Sequence, residues 1–283
     1  MVLELKQAVS SLKFTRYIIY MKHINQFITE YIIKKKLDKP IDSEDHYEYF
    51  PESKSELIKI INKLLEDNQT NLNVIDVSKI TNMSDLFSQI NENITITNID
   101  ISDWDVSNVT NMENMFFDCR EFNCNLSKWD VSNVTTMESM FSHCENFTGE
   151  GLENWNISNV INIAAMFSHC KKFDCDLSNW DFSKVSQTRY MFSNCENFDC
   201  DVSKWKFGKV YFANGMFYCC KKFKGIGLDK WDVSNFENMP YMFYKCENLN
   251  VDLENWNIKL NWFYIKDMFK LCSMKKLPTW YKK

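Results

Sequence analysis

Tryptophan recurs on a fixed beat in this chain: positions 104, 129, 155, 180, 205, 231 and 256 are spaced by 25 or 26 residues. A constant period of that length means stacked structural repeats, each too small to bury its apolar side chains without a neighbour. Aligned on Trp129, the unit reads Leu126-x-x-Trp129-x-Val131-x-x-Val134-x-x-Met137-x-x-Met140-Phe141-x-x-Cys144-x-x-Phe147. The Met-Phe pair returns six more times, from Met115-Phe116 to Met268-Phe269, and the following Cys at 119, 170, 195, 220, 246 and 272. Full coils start at Leu72, Ile101, Leu126, Leu152, Leu177, Val202, Leu228 and Leu253, and Leu277-x-x-Trp280 opens a partial ninth.

The beat accounts for an odd composition. Nine Trp and eleven Cys in 283 residues mostly mark fixed places in the unit, and only six Gly and four Pro remain to make turns. Four of those Gly sit in two 26-residue units, Phe147-Thr-Gly149-Glu-Gly151-Leu152 and Phe223-Lys-Gly225-Ile-Gly227-Leu228. Glycine accepts positive φ, so a wider turn is expected there.

Within a unit, Trp129-x-Val131 alternates as a short strand does, and the 3, 1, 3 spacing of Met137, Met140, Phe141 and Cys144 fits one or two helical turns. The expected fold is therefore an α/β repeat, a leucine-rich-repeat-like solenoid of about eight coils, each a short parallel strand plus a short helix. Eight coils at about 4.8 Å each would make a rod roughly 40 Å long. Three segments follow: 1–45 as an amphipathic helix and linker, 46–71 as a helical cap, and 72–283 as the solenoid. The first helix is drawn from Phe14, Ile18, Met21, Ile24, Ile28 and Ile32. The second opens at a capping box, Ser53-Lys-Ser-Glu56, and runs over Leu57 to Leu65 to cover the first coil.

The string Lys128-Trp129-Asp130-Val131-Ser132-Asn133-Val134-Thr135, with the Met-x-x-Met-Phe-x-x-Cys-x-x-Phe that follows it, is similar to the repeat of BspA-like bacterial surface proteins of the DUF285 type. The similarity covers roughly residues 72 to 272. It implies a leucine-rich-repeat solenoid displayed at the cell surface for adhesion or other protein binding. It implies no enzymatic activity and transfers no binding residues.

No N-terminal run has the length of a membrane span or a secretory leader: Tyr17 to Met21 is interrupted by Lys22. Two locations are thus weighed, the cell surface implied by the resemblance and the cytoplasm implied by the missing leader. A net charge of -5 excludes a basic field for nucleic acid.

Candidate chemistry is sparse. The Cys row reads as packing, because its places recur at the 25–26 spacing and the close pairs Cys119/Cys124, Cys170/Cys175 and Cys195/Cys200 are C-x4-C without accompanying His, and Cys219, outside the register, is the expected exposed thiol. His143 and His169 fall in the same place in adjacent coils and should lie within about 5 Å of each other. Asp105, Asp130, Asp181 and Asp232 follow the Trp, where turn capping is favoured over a calcium row. Asn108-Val-Thr110 and Asn133-Val-Thr135 match glycosylation acceptors only weakly. No catalytic, cofactor or metal residues are assigned and no cofactor is expected. The expected function is that of a non-enzymatic monomer presenting its surface to another protein, in adhesion or host and cell contact, with an intracellular interaction scaffold as the alternative. Ser142, Ser168, Ser193, Tyr218 and Tyr244 are surface candidates, as positions that packing leaves free.

Overall fold

Most landmark intervals of three residues close a turn of the backbone upon itself, Val134 to Met137 excepted, where Met137 N donates to Asn162 O of the next coil. In the unit around Trp129 the N–H of Trp129 donates to Leu126 O, Val134 to Val131, Met140 to Met137, Cys144 to Phe141 and Phe147 to Cys144, all at 3.0–3.2 Å. The computed structural model describes residues 47–90, 96 and 98–282. Contacts divide the chain between His46 and Tyr47. The expected helix over Phe14 to Ile32 and the linker after it lie outside the described residues.

The α/β solenoid with strand-plus-helix coils is corrected by these turns. Among the described residues the helical elements are α1 (Lys54–Glu66), a short 3-10 turn (Leu228–Lys230) and α2 (Trp262–Ile265), and the strand content is limited to single-residue parallel bridges such as Asn111 to Thr136 and Thr136 to Asn162. A helix repeats its i+4 hydrogen bond with φ negative throughout. Here φ turns positive inside the Met-x-x-Met turn (Asn114, Ser139, Ala165, Tyr190, Gly215, Tyr241) and again inside the Phe-x-x-Cys turn (Asp118, His143, His169, Asn194, Cys219, Lys245). A positive φ at the third residue of a turn is the type II geometry, and it redirects the chain before a helix can propagate. The 3, 1, 3 spacing is the same for two consecutive turns as for one face of a helix, which is why the pattern misleads.

Turns of this kind leave alternate N–H groups pointing along the stack. Met112 donates to Thr136 O at 3.0 Å, Asn114 to Glu138 O at 2.9 Å, Phe116 to Met140 O at 2.9 Å and Asp118 to Ser142 O at 2.9 Å, and the pattern repeats coil after coil. On the Leu-x-x-Trp side the indoles take over this work. Trp129 Nε1 donates to Ile101 O at 3.0 Å, Trp155 to Leu126 O at 3.1 Å and Trp180 to Leu152 O at 2.8 Å, and the series continues to Trp280 and Leu253 O. The Trp is therefore both core and cross-brace, and its N–H satisfies a carbonyl that burial would otherwise leave short of partners.

Between these two sides runs the core. Phe116, Phe141, Phe167, Phe192, Phe217, Phe243 and Phe269 stack at 5.4–5.8 Å with nearly parallel rings. In the five coils from Phe116 to Phe217 a second Phe packs on the first, as Phe147 does on Phe141 at 4.2 Å, and Leu249 takes its place beside Phe243. Parallel-displaced ring pairs of this kind each contribute about 0.5–1.5 kcal/mol beyond area burial. Phe182, in the place of Val131, wedges between Trp180 and Trp205 at 6.1 and 4.5 Å and interrupts the Trp column there.

At one end α1 buries Leu57, Ile61, Leu64 and Leu65, and its Lys54 Nζ donates to Ser84 O of the first coil at 2.9 Å. Ser53 Oγ accepts from Glu56 N as expected of a capping box, but the Glu56 carboxylate accepts from Glu52 N rather than from Ser53 N. In the two longer coils Gly149, Gly151, Gly225 and Gly227 all have φ between 81° and 93°. A Cβ on Gly151 would lie 2.3 Å from Ser127 N of the preceding coil, so the wide turn needs glycine for approach as well as for φ. Asn238 Oδ1 is buried without a partner among the described residues. Its counterparts Asn111 and Asn162 accept from the backbone N–H two residues on, where this coil has Pro240, which lacks that donor.

The turn geometry makes a prediction opposite to that of a helix. Ser139, at φ 54°, carries left-handed strain that glycine would not. Ser139→Gly is expected to raise stability by about 0.5–1 kcal/mol, whereas in a helix the same change would lower it by a similar amount. The shift in the urea unfolding midpoint decides between them.

Candidate protein-binding groove

Positions with positive φ project outward, and their side chains are not fixed by the core. Over five successive coils the first such row reads Ala165, Tyr190, Gly215, Tyr241 and Asp267, and the place three residues later reads Ser168, Ser193, Tyr218, Tyr244 and Lys270. Together these rows border an open cavity of about 590 Å³, with His169 at its edge. Tyr218 and Tyr244 stack at 4.8 Å with rings 5° apart, and Tyr241 meets Tyr244 edge-on at 6.1 Å. Tyr190 leans across the next coil, where a Cβ on Gly215 would lie 2.3 Å from its Cε1. Glycine at 215 is what lets that ring lie down.

The surface row Ser142, Ser168, Ser193, Tyr218, Tyr244 is thus only partly what its variability suggests. The three serines are buried, whereas the two tyrosines stand half-exposed. Tyr190 and Tyr241 escape sequence reasoning, because the signal was a large side chain replacing Ser139 and Ala165 at a turn position whose outward direction only the positive φ reveals.

The cysteine row has a chemical task. Cys144 Sγ donates to Phe116 O at 3.1 Å, and Cys170, Cys195 and Cys220 make the same bond to Phe141, Phe167 and Phe192 at 2.9 Å. A small, weakly polar donor is what the site takes, since the Phe carbonyl is buried and the space beside it is narrow. Burial pushes these thiols well above their ordinary pKa. All eleven cysteines are free thiols. Cys219 is half-exposed, as are Cys124, Cys175 and Cys272, so it is one of four accessible thiols rather than a singular one. Burial also raises Cys219, and it drives Cys175 up to about 12.

The imidazoles of His143 and His169 stack at 4.3 Å with rings 10° apart, inside the expected distance. They face outward while Cys144 and Cys170 point into the core, so the four side chains do not converge. Asn194 Nδ2 lies 3.3 Å from His169 Nε2 and continues the row. Among the described residues, His, Cys, Asp and Glu nowhere gather in a group of three able to hold a metal ion. Asp105, Asp130, Asp181 and Asp232 each accept from the N–H of the Ser two residues on at 2.9–3.1 Å, the geometry of a capped turn. The Ser132 and Ser234 hydroxyls first, and then these N–H groups, hold Asp130 and Asp232 below the usual carboxylate range. Asn108 and Asn133 spend their amides bridging to Ser78 O and Ser107 O of the preceding coil at 2.9 and 2.8 Å. No helix of the described residues is long and apolar enough to cross a membrane.

Two measurements test this chemistry. Native protein treated with iodoacetamide near neutral pH is expected to be modified first at half-exposed Cys272, whose thiol the hydrogen bond with Cys246 lowers, and far more slowly at Cys124, Cys175 and Cys219, which burial raises, with Cys144, Cys170, Cys195 and Cys220 reacting only after unfolding, as peptide mass mapping will show. His169 has its pKa lowered, first by burial and then by His143 and Lys171, with Glu145 opposing. A lowered value means that the folded state binds the proton less well than the unfolded chain. Its stabilising contribution is complete above the ordinary His pKa of about 6.5 and is lost as pH falls through the depressed value. Thermal unfolding midpoints should therefore drop on acidification below about pH 6.5, and the drop should be smaller in His169→Asn, which carries the residue that the next coil already uses.

The family model described as Mycoplasma protein of unknown function, DUF285, matches the chain at residues 56–151, 126–226 and 210–280. No curated protein and no solved structure matches it. The three overlapping matches follow one another along the stack of coils and begin inside α1. Because they run together from residue 56 to residue 280 of 283, the chain belongs to the DUF285 family of Mycoplasma proteins of unknown function.

Proposed function

We propose that this is a non-enzymatic, monomeric binding protein that uses the tyrosine groove to dock another protein, as a BspA-like surface protein does in adhesion or cell contact. The groove carries the reading. Tyr and Ser are the side chains with which antibody paratopes bind: phenols supply broad contact at little conformational cost, and hydroxyls adapt their hydrogen bonds. Four tyrosines and two serines share this cavity. A stack whose core is closed by its own hydrogen bonds offers a rigid platform for them, and rigidity lowers the entropic cost of docking.

A second reading rests on the eleven free thiols, which suit a reducing compartment and hence an intracellular interaction scaffold. External protease applied to intact native cells separates the two. The surface reading expects the protein to be cut while a cytosolic marker survives, and full protection would transfer the groove to an intracellular partner. On the surface reading, purified chain binds cells saturably, and Tyr218→Ala with Tyr244→Ala weakens that binding at least tenfold, measured by flow cytometry.

A further inference from the structure

We infer that the groove's occupant is a proline-rich segment of the partner in the extended polyproline II conformation, an inference that rests on the groove being a protein-docking surface. Length is the first reason. The cavity reaches from Ala165 to Lys270, across five coils. Four steps of ~4.8 Å span ~19 Å. Six residues of polyproline II at ~3.1 Å each span the same distance.

Period is the second reason. Tyr190 and Tyr241 hold the same turn position two coils apart, with Gly215 between them, so their backbones are ~10 Å apart. One three-residue turn of polyproline II advances ~9.3 Å, close to that backbone spacing, while the Tyr190 ring itself lies over Gly215 in the coil between. Tyr218 supplies a further ring. It stacks on Tyr244 on one side, while the matching place in the preceding coil is the small Ser193. A pyrrolidine ring fits against such a face, as it does in other aromatic-lined proline grooves.

Hydrogen bonding is the third reason, and it excludes a strand. Tyr190 N donates to Asn214 O at 2.9 Å, Ser193 N to Tyr190 O at 3.0 Å and Tyr241 N to Lys266 O at 3.0 Å, so the groove's turns spend these donors within the stack. A peptide adding as a strand needs a free backbone edge. The groove offers hydroxyl donors instead, and a proline-rich chain presents solvated carbonyls to accept them while carrying few N–H groups in need of partners. Charge agrees. Asp267 and Lys270 face each other at 3.8 Å at one end, and the floor between is neutral, as is the proposed ligand.

The test is fluorescence anisotropy of the full chain with a fluorescein-labelled peptide of six consecutive prolines, against a Gly/Ser peptide of equal length and an unlabelled cello-oligosaccharide as competitor. The expected result is saturable binding at least tenfold tighter for the proline peptide. Tyr218→Ala and Tyr241→Ala should each weaken it at least tenfold, and Tyr218→Phe, which keeps the ring face, only a few-fold. Unchanged tryptophan fluorescence and thermal midpoint certify the fold, and Tyr190→Ala replaces any variant that fails this check. Equal affinity for the two peptides, displacement by the oligosaccharide, or indifference to the tyrosine variants would overturn the inference. Cell binding that still depends on Tyr218 and Tyr244 would leave the docking role standing while this occupant falls.

Discussion

A chain that turns back on itself every third residue cannot satisfy all of its own amides, and this shortage organises the molecule. Half of the N–H groups along the Met-x-x-Met-Phe-x-x-Cys arc point along the stack, where only another coil can receive them. Buried donors without acceptors are costly, so no coil is stable alone and each new one is templated by the last. The indoles of the Trp in register, from Trp104 to Trp280, and the thiols of the ladder Cys from Cys144 to Cys272 extend the same economy to side chains, each serving a carbonyl of the coil before.

Sharp turning has a second consequence. Residues such as Asn114, Ser139, Ala165 and Tyr190 are held at positive φ, a conformation costing a non-glycine residue about 1–2 kcal/mol. The stack over-determines these positions through hydrogen bonds on either side, so the side chain there is free to be Asn, Ser, Ala or Tyr. Strain is tolerated where variety is displayed, and the tyrosine groove lies along such a row. The same logic places His143, His169 and Cys219 at the second positive-φ row, where they face outward, while the residue after each, Cys144, Cys170 or Cys220, stays in the core.

The composition that invites a metal or disulfide reading thus has a mechanical explanation. Cysteine recurs because a narrow buried place beside a Phe carbonyl takes a small donor, and aspartate after the Trp because its carboxylate caps the turn to the Ser two residues on. Neither gathers ligands at one point, since a repeat spreads identical side chains along a line.

By itself the sequence determined the number of coils, their boundaries, the inward faces and the special role of Gly149, Gly151, Gly225 and Gly227, because period and apolar placement survive whatever the backbone does between landmarks. The opening of α1 was equally legible, since Ser53 and Glu56 act locally. Only the tertiary structure decided that each coil is built from turns rather than from a strand and a helix: Met137, Met140, Phe141 and Cys144 face inward in either case, and the choice falls to hydrogen bonds with residues about 25 positions away. It also decided that Tyr190, Tyr218, Tyr241 and Tyr244 share one groove, because that depends on positive φ at their turns and on a glycine at 215 that leaves room for a neighbour's ring.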